Sequence, residues 1–349
     1  MIHEIDTFPG RTFQSQGKTW LYFGGTAYLG LQTLPEYQET YQNNIKIYGT
    51  GYAASGMANV RLSIYEKAAT FLAKFTGNES ALTVSSGYLA GQLLASYFHK
   101  PQFTCYYAPE THSSLHSINS FNAGSFDTLI SEIKNHIASG QPQIPVVFFD
   151  SVISSGDNYP SFAWLKTLPL EKIILVADDS HGFGVLGPDG CGVARTLKAF
   201  HPLELIVCGS LGKGFGIQAG VICGMQKRIE SLQKKEMFIA SSPASPASIA
   251  TLLESIVLFR QQQALLHSHI KRFHSLILPG HGLSYLKTYP VFTFSDKKLI
   301  EFLRSRGIEI TSFRYPNENS DLINRIVLSA MHTERDIDIL AAAINSFYQ

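Results

Sequence analysis

The 349-residue chain has almost no net charge: 28 lysines and arginines against 27 acidic residues leave +1, and only 16% of its residues are charged. It has no long run of like charge, which argues against nucleic acid as the main partner. The basic pairs Lys227-Arg228 and Lys234-Lys235 read as a solvated helix face rather than a binding patch. No apolar run approaches the roughly 20 residues needed to span a bilayer. The acidic opening Met1-Ile2-His3-Glu4-Ile5-Asp6 lacks a signal-peptide core. Neither a membrane span nor export is expected. Cysteine is scarce: four residues, at 105, 191, 208 and 223, have no metal-ligand spacing and suit a reducing cytoplasm. Internal repeats and low-complexity linkers are also missing. What remains, at 45% hydrophobic, can bury a large core and one accessory domain.

Strand-like runs alternate with helical patterns from about residue 45 to 235, which predicts a mostly parallel sheet covered on both faces. A helix is expected from about 245 to 267. Beyond it, Pro290-Val291-Phe292-Thr293-Phe294 and the segments that follow suggest a small α+β domain, with Trp20-Leu21-Tyr22-Phe23 as its first piece. The expected division is 1–44 joining the small domain, 45–240 as the large domain, and 241–349 as a connecting helix plus the rest of the small domain.

Chemistry concentrates in two motifs. Ser210-Leu211-Gly212-Lys213-Gly214-Phe215-Gly216 places one lysine in a turn between the apolar strands Leu205-Ile206-Val207-Cys208 and Val221-Ile222-Cys223. Glycines at 212, 214 and 216 would let a flat ligand and a phosphate approach the backbone. The turn reads either as a hairpin with a snorkelling lysine or as an amine bonded as an imine to pyridoxal phosphate (PLP). Upstream, the buried strand through Ile173-Ile174-Leu175-Val176-Ala177 ends in Asp178-Asp179-Ser180-His181. Open α/β sheets hold their ligands at such carboxyl strand ends. A PLP ring nitrogen needs an anion beside it, and Asp178 suits that role; His181 could bond the ring hydroxyl.

Together the two motifs resemble those of the α-oxoamine synthases, PLP enzymes of the aspartate-aminotransferase fold (fold type I). Their members show Asp-Asp/Glu-Ala-His followed by Thr-Leu-Ser/Gly-Lys-Gly/Ala-Phe-Gly. The resemblance runs from Tyr28-Leu29-Gly30-Leu31 to Ala330-Met331-His332-Thr333. It implies an α/β large domain with a mostly parallel sheet, a small α+β domain, and a homodimer with shared sites. It also implies acyl transfer from an acyl-coenzyme A to an amino acid, with decarboxylation, to give an α-amino ketone. Alanine-using 8-amino-7-oxononanoate synthesis is the first expectation within the family. Transamination, carbon–carbon cleavage and a non-catalytic binding protein stay open as alternatives.

The resemblance also assigns roles. Lys213 is the cofactor lysine and the base, Asp178 the ring-nitrogen partner, His181 the ring-hydroxyl partner, and His112 in Thr111-His112-Ser113-Ser114 the ring-stacking histidine. Ser86, Gly87 and Tyr88 match the segment whose amides hold the cofactor phosphate, an arrangement a helix start can supply. Ser154 matches a serine near the ring hydroxyl, Ser210 opens the lysine motif, and Ser242 matches a residue that reaches the neighbouring subunit's phosphate. Arg325 matches the arginine that holds the substrate carboxylate as a planar fork. Three blocks depart from the family: Thr26-Ala27 where an asparagine helps hold substrate, Gly51-Tyr52-Ala53-Ala54-Ser55 for a Gly-Ser-Gly-Gly-Ser block, and Ala68-Ala69 for Leu-Glu.

Overall fold

The computed structural model describes residues 2–118, 120–153, 157–314, 318–320 and 322–349. The chain opens with β1 (Thr12–Ser15) and β2 (Lys18–Phe23), followed by α1 (Pro35–Tyr48) and α2 (Ile64–Thr76). An alternating stretch comes next: β3 (Ser80–Val84), α3 (Gly87–Phe98), β4 (Phe103–Tyr107), α4 (Phe126–Ala138), β5 (Ile144–Asp150), β6 (Ile174–Asp178), α5 (Ala194–Lys198), β7 (Glu204–Ser210) and β8 (Gly220–Gly224). Four helices then run on, α6 (Gln226–Gln233), α7 (Glu236–Ala240), α8 (Pro246–Glu254) and α9 (Ile256–Leu276). The chain closes with β9 (Ser284–Tyr285), β10 (Val291–Thr293), α10 (Lys297–Ser305), β11 (Ile308–Arg314), β12 (Leu322–Val327) and α11 (Glu334–Tyr348). Among the described residues no helix is long and apolar enough to cross a membrane.

Two compact units result, Glu36–Ile256 and the pair of segments Met1–Pro35 with Val257–Gln349. The boundaries expected at 44 and 240 fall inside the first of these. α1 continues without a break through 44, where the Asn44 side chain donates to Thr251 Oγ and to Glu254 in α8. The single helix expected over 245–267 is two, divided at Ser255. The second continues past 267 because its buried stripe does, through Phe259, Gln263, Leu266, Ile270 and Phe273.

The unit Glu36–Ile256 is built on a six-stranded sheet in the order β3-β8-β7-β6-β5-β4. β4 to β7 are mutually parallel and β8 runs antiparallel to both neighbours. Strands β6 and β8 are buried at every position, which is why they read as unbroken apolar runs. Leu93, Leu94 and Phe98 of α3 pack on one face against Val146, Phe148, Val176 and Ile206. On β5, Phe149 points the other way, into Phe162 and Trp164. A core phenylalanine so enclosed is worth about 3–5 kcal/mol on truncation to alanine.

The other unit has its own six-stranded sheet, β1-β2-β11-β12-β10-β9. Here β2 lies parallel to β11, so the strand expected as the first piece of the small domain does pair with the C-terminal strands. Asp296 caps α10, and Thr333 with Asp336 forms a reciprocal capping box on α11.

Candidate active site

Parallel strands end at one edge, and β5, β6 and β7 do so in register. Asp150 stands opposite Asp178, and Asp178 opposite Cys208. Asp178 is 7% exposed, and its carboxylate accepts the Ser180 amide at 2.8 Å. Asp179 turns away and is fully buried. It accepts Ser151 Oγ at 2.6 Å and the Val193 amide at 2.7 Å, and burial pushes its carboxyl up to about 7. Of two adjacent aspartates, one faces the strand end and the other braces the loop behind it.

The lysine motif is the hairpin between β7 and β8. Leu211, Phe215 and Ile217 are buried and anchor it, with Leu211 donating its amide to the Ala219 carbonyl at 2.9 Å. Lys213 is half-buried, and its Nζ lies 2.8 Å from His181 Nε2. A protonated amine has only donors, so with Lys213 charged Nε2 accepts and Nδ1 carries the imidazole proton. Of the glycines around it, Gly214 is also needed for packing within the chain. A Cβ on Gly214 would collide with the Phe183 carbonyl, and one on Gly184, whose φ is +80°, would come within 2.8 Å of the Gly214 Cα. Gly214 and Gly184 let the hairpin lie backbone to backbone on the turn that follows Asp178.

His112 follows β4, and its amide donates to Asp150 Oδ1 at 3.0 Å. Its Nδ1 accepts the Ser114 amide at 3.1 Å, which leaves Nε2 to carry the ring proton. Burial lowers the His112 pKa; the Asp178 charge opposes this, and Lys213 and His116 reinforce it. The imidazole is therefore neutral near pH 7. Asp150 was not singled out in the sequence, where it reads as the polar end of an apolar strand. Burial, and then the Asp178 charge beside it, raise its carboxyl well above the usual range, against the His112 amide and Lys213. Its position beside Asp178 depends on a strand register that no local signal reveals.

Ser86 caps α3, its Oγ accepting the Leu89 amide at 3.1 Å. Gly87 is pressed on the lysine motif: a Cβ there would stand 2.6 Å from the Ser210 nitrogen. Tyr88 is exposed. The amides of Gly87 and Tyr88 belong to a first helical turn, where no intrahelical acceptor exists. Ser210 Oγ accepts the Gly212 amide at 3.1 Å, so this hydroxyl shapes the turn. Ser242 is exposed just ahead of α8. Ser154 lies outside the described residues.

The remaining two candidates belong to the other unit. Arg325 is half-buried on β12, paired with Thr311 on one side and Thr293 on the other. Burial drives the Tyr28 phenol up to about 12, against the Tyr289 hydroxyl at 2.9 Å and then the charge of Arg325, which lies near enough to oppose it. Thr26 supplies its carbonyl to the Tyr28 amide at 2.9 Å.

Residues 23–344 match the family model of the class I and II aminotransferases. The chain belongs to that family. Within the class I and II aminotransferases it is 27% identical to the 8-amino-7-oxononanoate synthase of Hahella chejuensis, over 98% of this chain and 91% of that one. It is 28% identical to the same enzyme of Nitrosomonas europaea, over 95% of this chain and 91% of the relative. In three dimensions it resembles a serine palmitoyltransferase from S. paucimobilis solved with PLP bound. The TM-score is 0.81 at 19% identity, covering 99% of this chain and 91% of that chain. The resemblance to the α-oxoamine synthases and the fold type I architecture are both borne out.

For this aminotransferase-family chain, four of the sequence candidates converge. Lys213, His181, Asp178 and His112 all lie in the unit Glu36–Ile256, joined by a hydrogen bond or by direct electrostatic influence. Gly87 and Ser210 join them through backbone packing.

Proposed function

We propose that the chain is a PLP-dependent C-acyltransferase that joins an amino acid to an acyl thioester such as an acyl-coenzyme A. Carbon dioxide is lost and an α-amino ketone is formed. The observation that carries this reading is the Lys213 amine, 2.8 Å from His181 and within electrostatic reach of His112, at the strand edge that Asp178 closes. The relatives named above support the acyl-transfer branch, and alanine with an 8-amino-7-oxononanoate-type acyl donor is the first choice of substrates.

The donor set fits PLP by its chemistry. Lys213 offers an amine for the aldehyde, Asp178 a carboxylate for the ring nitrogen, and His112 a neutral ring for its face. The Gly87 and Tyr88 amides suit the phosphate. When bound, PLP supplies an electron sink that stabilises negative charge on the α-carbon of an attached amine. Asp178 keeps a proton on the pyridine nitrogen. Lys213 takes the α-proton of the amino acid and later returns one to the same carbon. The new bond joins that carbon to the thioester carbonyl carbon, the thiol leaves with a proton, and the carboxylate leaves as carbon dioxide. Ser86, Ser210 and Ser242 are assigned to the cofactor's surroundings, with Ser242 serving the partner subunit of a homodimer. Arg325 takes the substrate carboxylate, with Thr26 beside it in substrate selection. The enzyme works in the cytoplasm.

PLP-loaded protein should release free thiol from acyl-coenzyme A only when an amino acid is present, and Lys213→Ala should abolish the release. Amino-group transfer to a 2-oxo acid without thiol release would replace this reading with an aminotransferase.

A further inference from the structure

A second polar cluster lies away from Lys213, around Tyr97 near the end of α3. Lys100 Nζ sits 4.0 Å from the centroid of the Tyr97 ring, Lys235 Nζ 5.3 Å, and the Arg228 guanidinium carbon 4.9 Å. Arg228 also donates to the Tyr97 hydroxyl at 2.7 Å. Three side chains from three separate segments thus aim their positive ends at one aromatic ring. The acid among them is Glu204, which Arg228 holds in a two-pronged bond at 2.8 and 2.6 Å. The carboxyl ends of α3 and α6 add about half a negative charge each. The balance still leaves roughly one uncompensated positive charge. Burial lowers the Lys100 pKa, and then Lys235 and Arg228 beside it lower it further.

Two half-buried amines held side by side repel, and a shared ring face offsets only part of that repulsion. An anion between them would reverse the sign of the interaction. The sequence reading of Lys234-Lys235 as a plain solvated face does not account for Lys235 turning onto Tyr97 beside Lys100. We propose that Lys100, Lys235 and Arg228 form a binding site for a phosphate dianion, separate from the cofactor site and at the opposite ends of α3 and β7 from Gly87 and Ser210. Tyr97 is the floor, Glu204 fixes the guanidinium, and the two lysines close on the anion as point charges.

The test uses PLP-saturated protein, so that the cofactor's phosphate site is filled. Inorganic phosphate is titrated by calorimetry in a zwitterionic buffer, with adenosine 5'-monophosphate as a second arm. Saturable phosphate binding is expected, weakened at least tenfold in Lys100→Gln and again in Lys235→Gln, with the visible absorbance of the cofactor unchanged. Lys100→Arg should bind like the wild type, which separates charge from folding. Tighter binding of the nucleotide in the same cluster would identify a phosphate carried on a larger molecule; equal or weaker binding would identify the free ion. An absence of saturable binding in either arm, or equal affinity in the glutamine variants, would overturn the proposal.

Discussion

The Oγ of Ser180 accepts the backbone amide of Ser210 at 2.8 Å. That bond ties the acidic motif to the lysine motif, so the two reactive segments are held to each other rather than merely adjacent. Gly209 permits it, because a Cβ there would lie 2.7 Å from the Ser180 nitrogen. The hairpin carrying Lys213 is therefore registered to the strand end carrying Asp178 before any ligand binds.

Reconstituted protein should be yellow, and borohydride reduction followed by peptide mapping should find the pyridoxyl group on Lys213. The reason is the placement of its amine at 2.8 Å from His181 Nε2. A label on any other lysine would sink the assignment.

Asp178 and Asp179 should separate chemistry from stability. Asp178→Asn can still accept the Ser180 amide, so it should fold while losing about 100-fold or more in rate, because an amide cannot hold a proton on the ring nitrogen. Asp179→Ala leaves the Ser151 hydroxyl and the Val193 amide without their acceptor, at about 1–3 kcal/mol each. Asp179→Asn should be milder, since its oxygen can take the amide while the Ser151 hydroxyl turns to accept. Denaturant curves and turnover measured on the three variants test the split.

Gly87→Ala should weaken the cofactor site without touching a reactive group. The added methyl meets Ser210 at 2.6 Å from its nitrogen and 2.7 Å from its Cα, so the lysine hairpin must shift. A loss of about 1–3 kcal/mol in stability is expected, together with faster PLP dissociation followed by absorbance. Wild-type retention of PLP would show that the hairpin gives way freely.

His332 makes the smaller unit acid-sensitive. Its Nδ1 accepts the Ser329 amide at 3.0 Å and its Nε2 faces the Tyr22 carbonyl at 2.9 Å, so the buried ring is neutral and its pKa is lowered to about 4, chiefly by burial. The unfolded chain would titrate near 6.5. Because the folded pKa is depressed, the contribution is complete above 6.5 and is lost as the pH falls toward 4, by about 3 kcal/mol. The stability advantage of the wild type over His332→Asn should shrink by that amount between pH 7 and pH 4 in urea titrations. A constant difference would rule the mechanism out.

Arg325→Ala should keep its PLP but bind amino acids roughly 30-fold more weakly or worse, the loss typical of a truncated guanidinium–carboxylate pair at about 2–5 kcal/mol. Lysine at 325 should rescue only part, since it lacks the planar fork. Spectral titration with alanine, serine and glycine reads both variants. Unchanged affinity would place the carboxylate elsewhere.

Local sequence determined much of this protein. Apolar runs closed by Asp178 and opened after Ser210 are legible because strands buried on both faces tolerate few polar residues, and a lone lysine between such strands stands out. The helix start at Ser86 announces itself through a capping side chain that acts within one turn. Tertiary structure decided what depends on partners distant in the chain. Asp150 gains its raised pKa from burial in the sheet and from the register that sets it beside Asp178, and Gly214 is needed where the hairpin meets Phe183 and Gly184. Lys235 reads as solvated until Tyr97 and Lys100 arrive beside it from the end of α3 and the residues just past it. Pairing between strands and burial between helices are set by the whole packed core, so neither register nor electrostatic environment is written in any short stretch of residues.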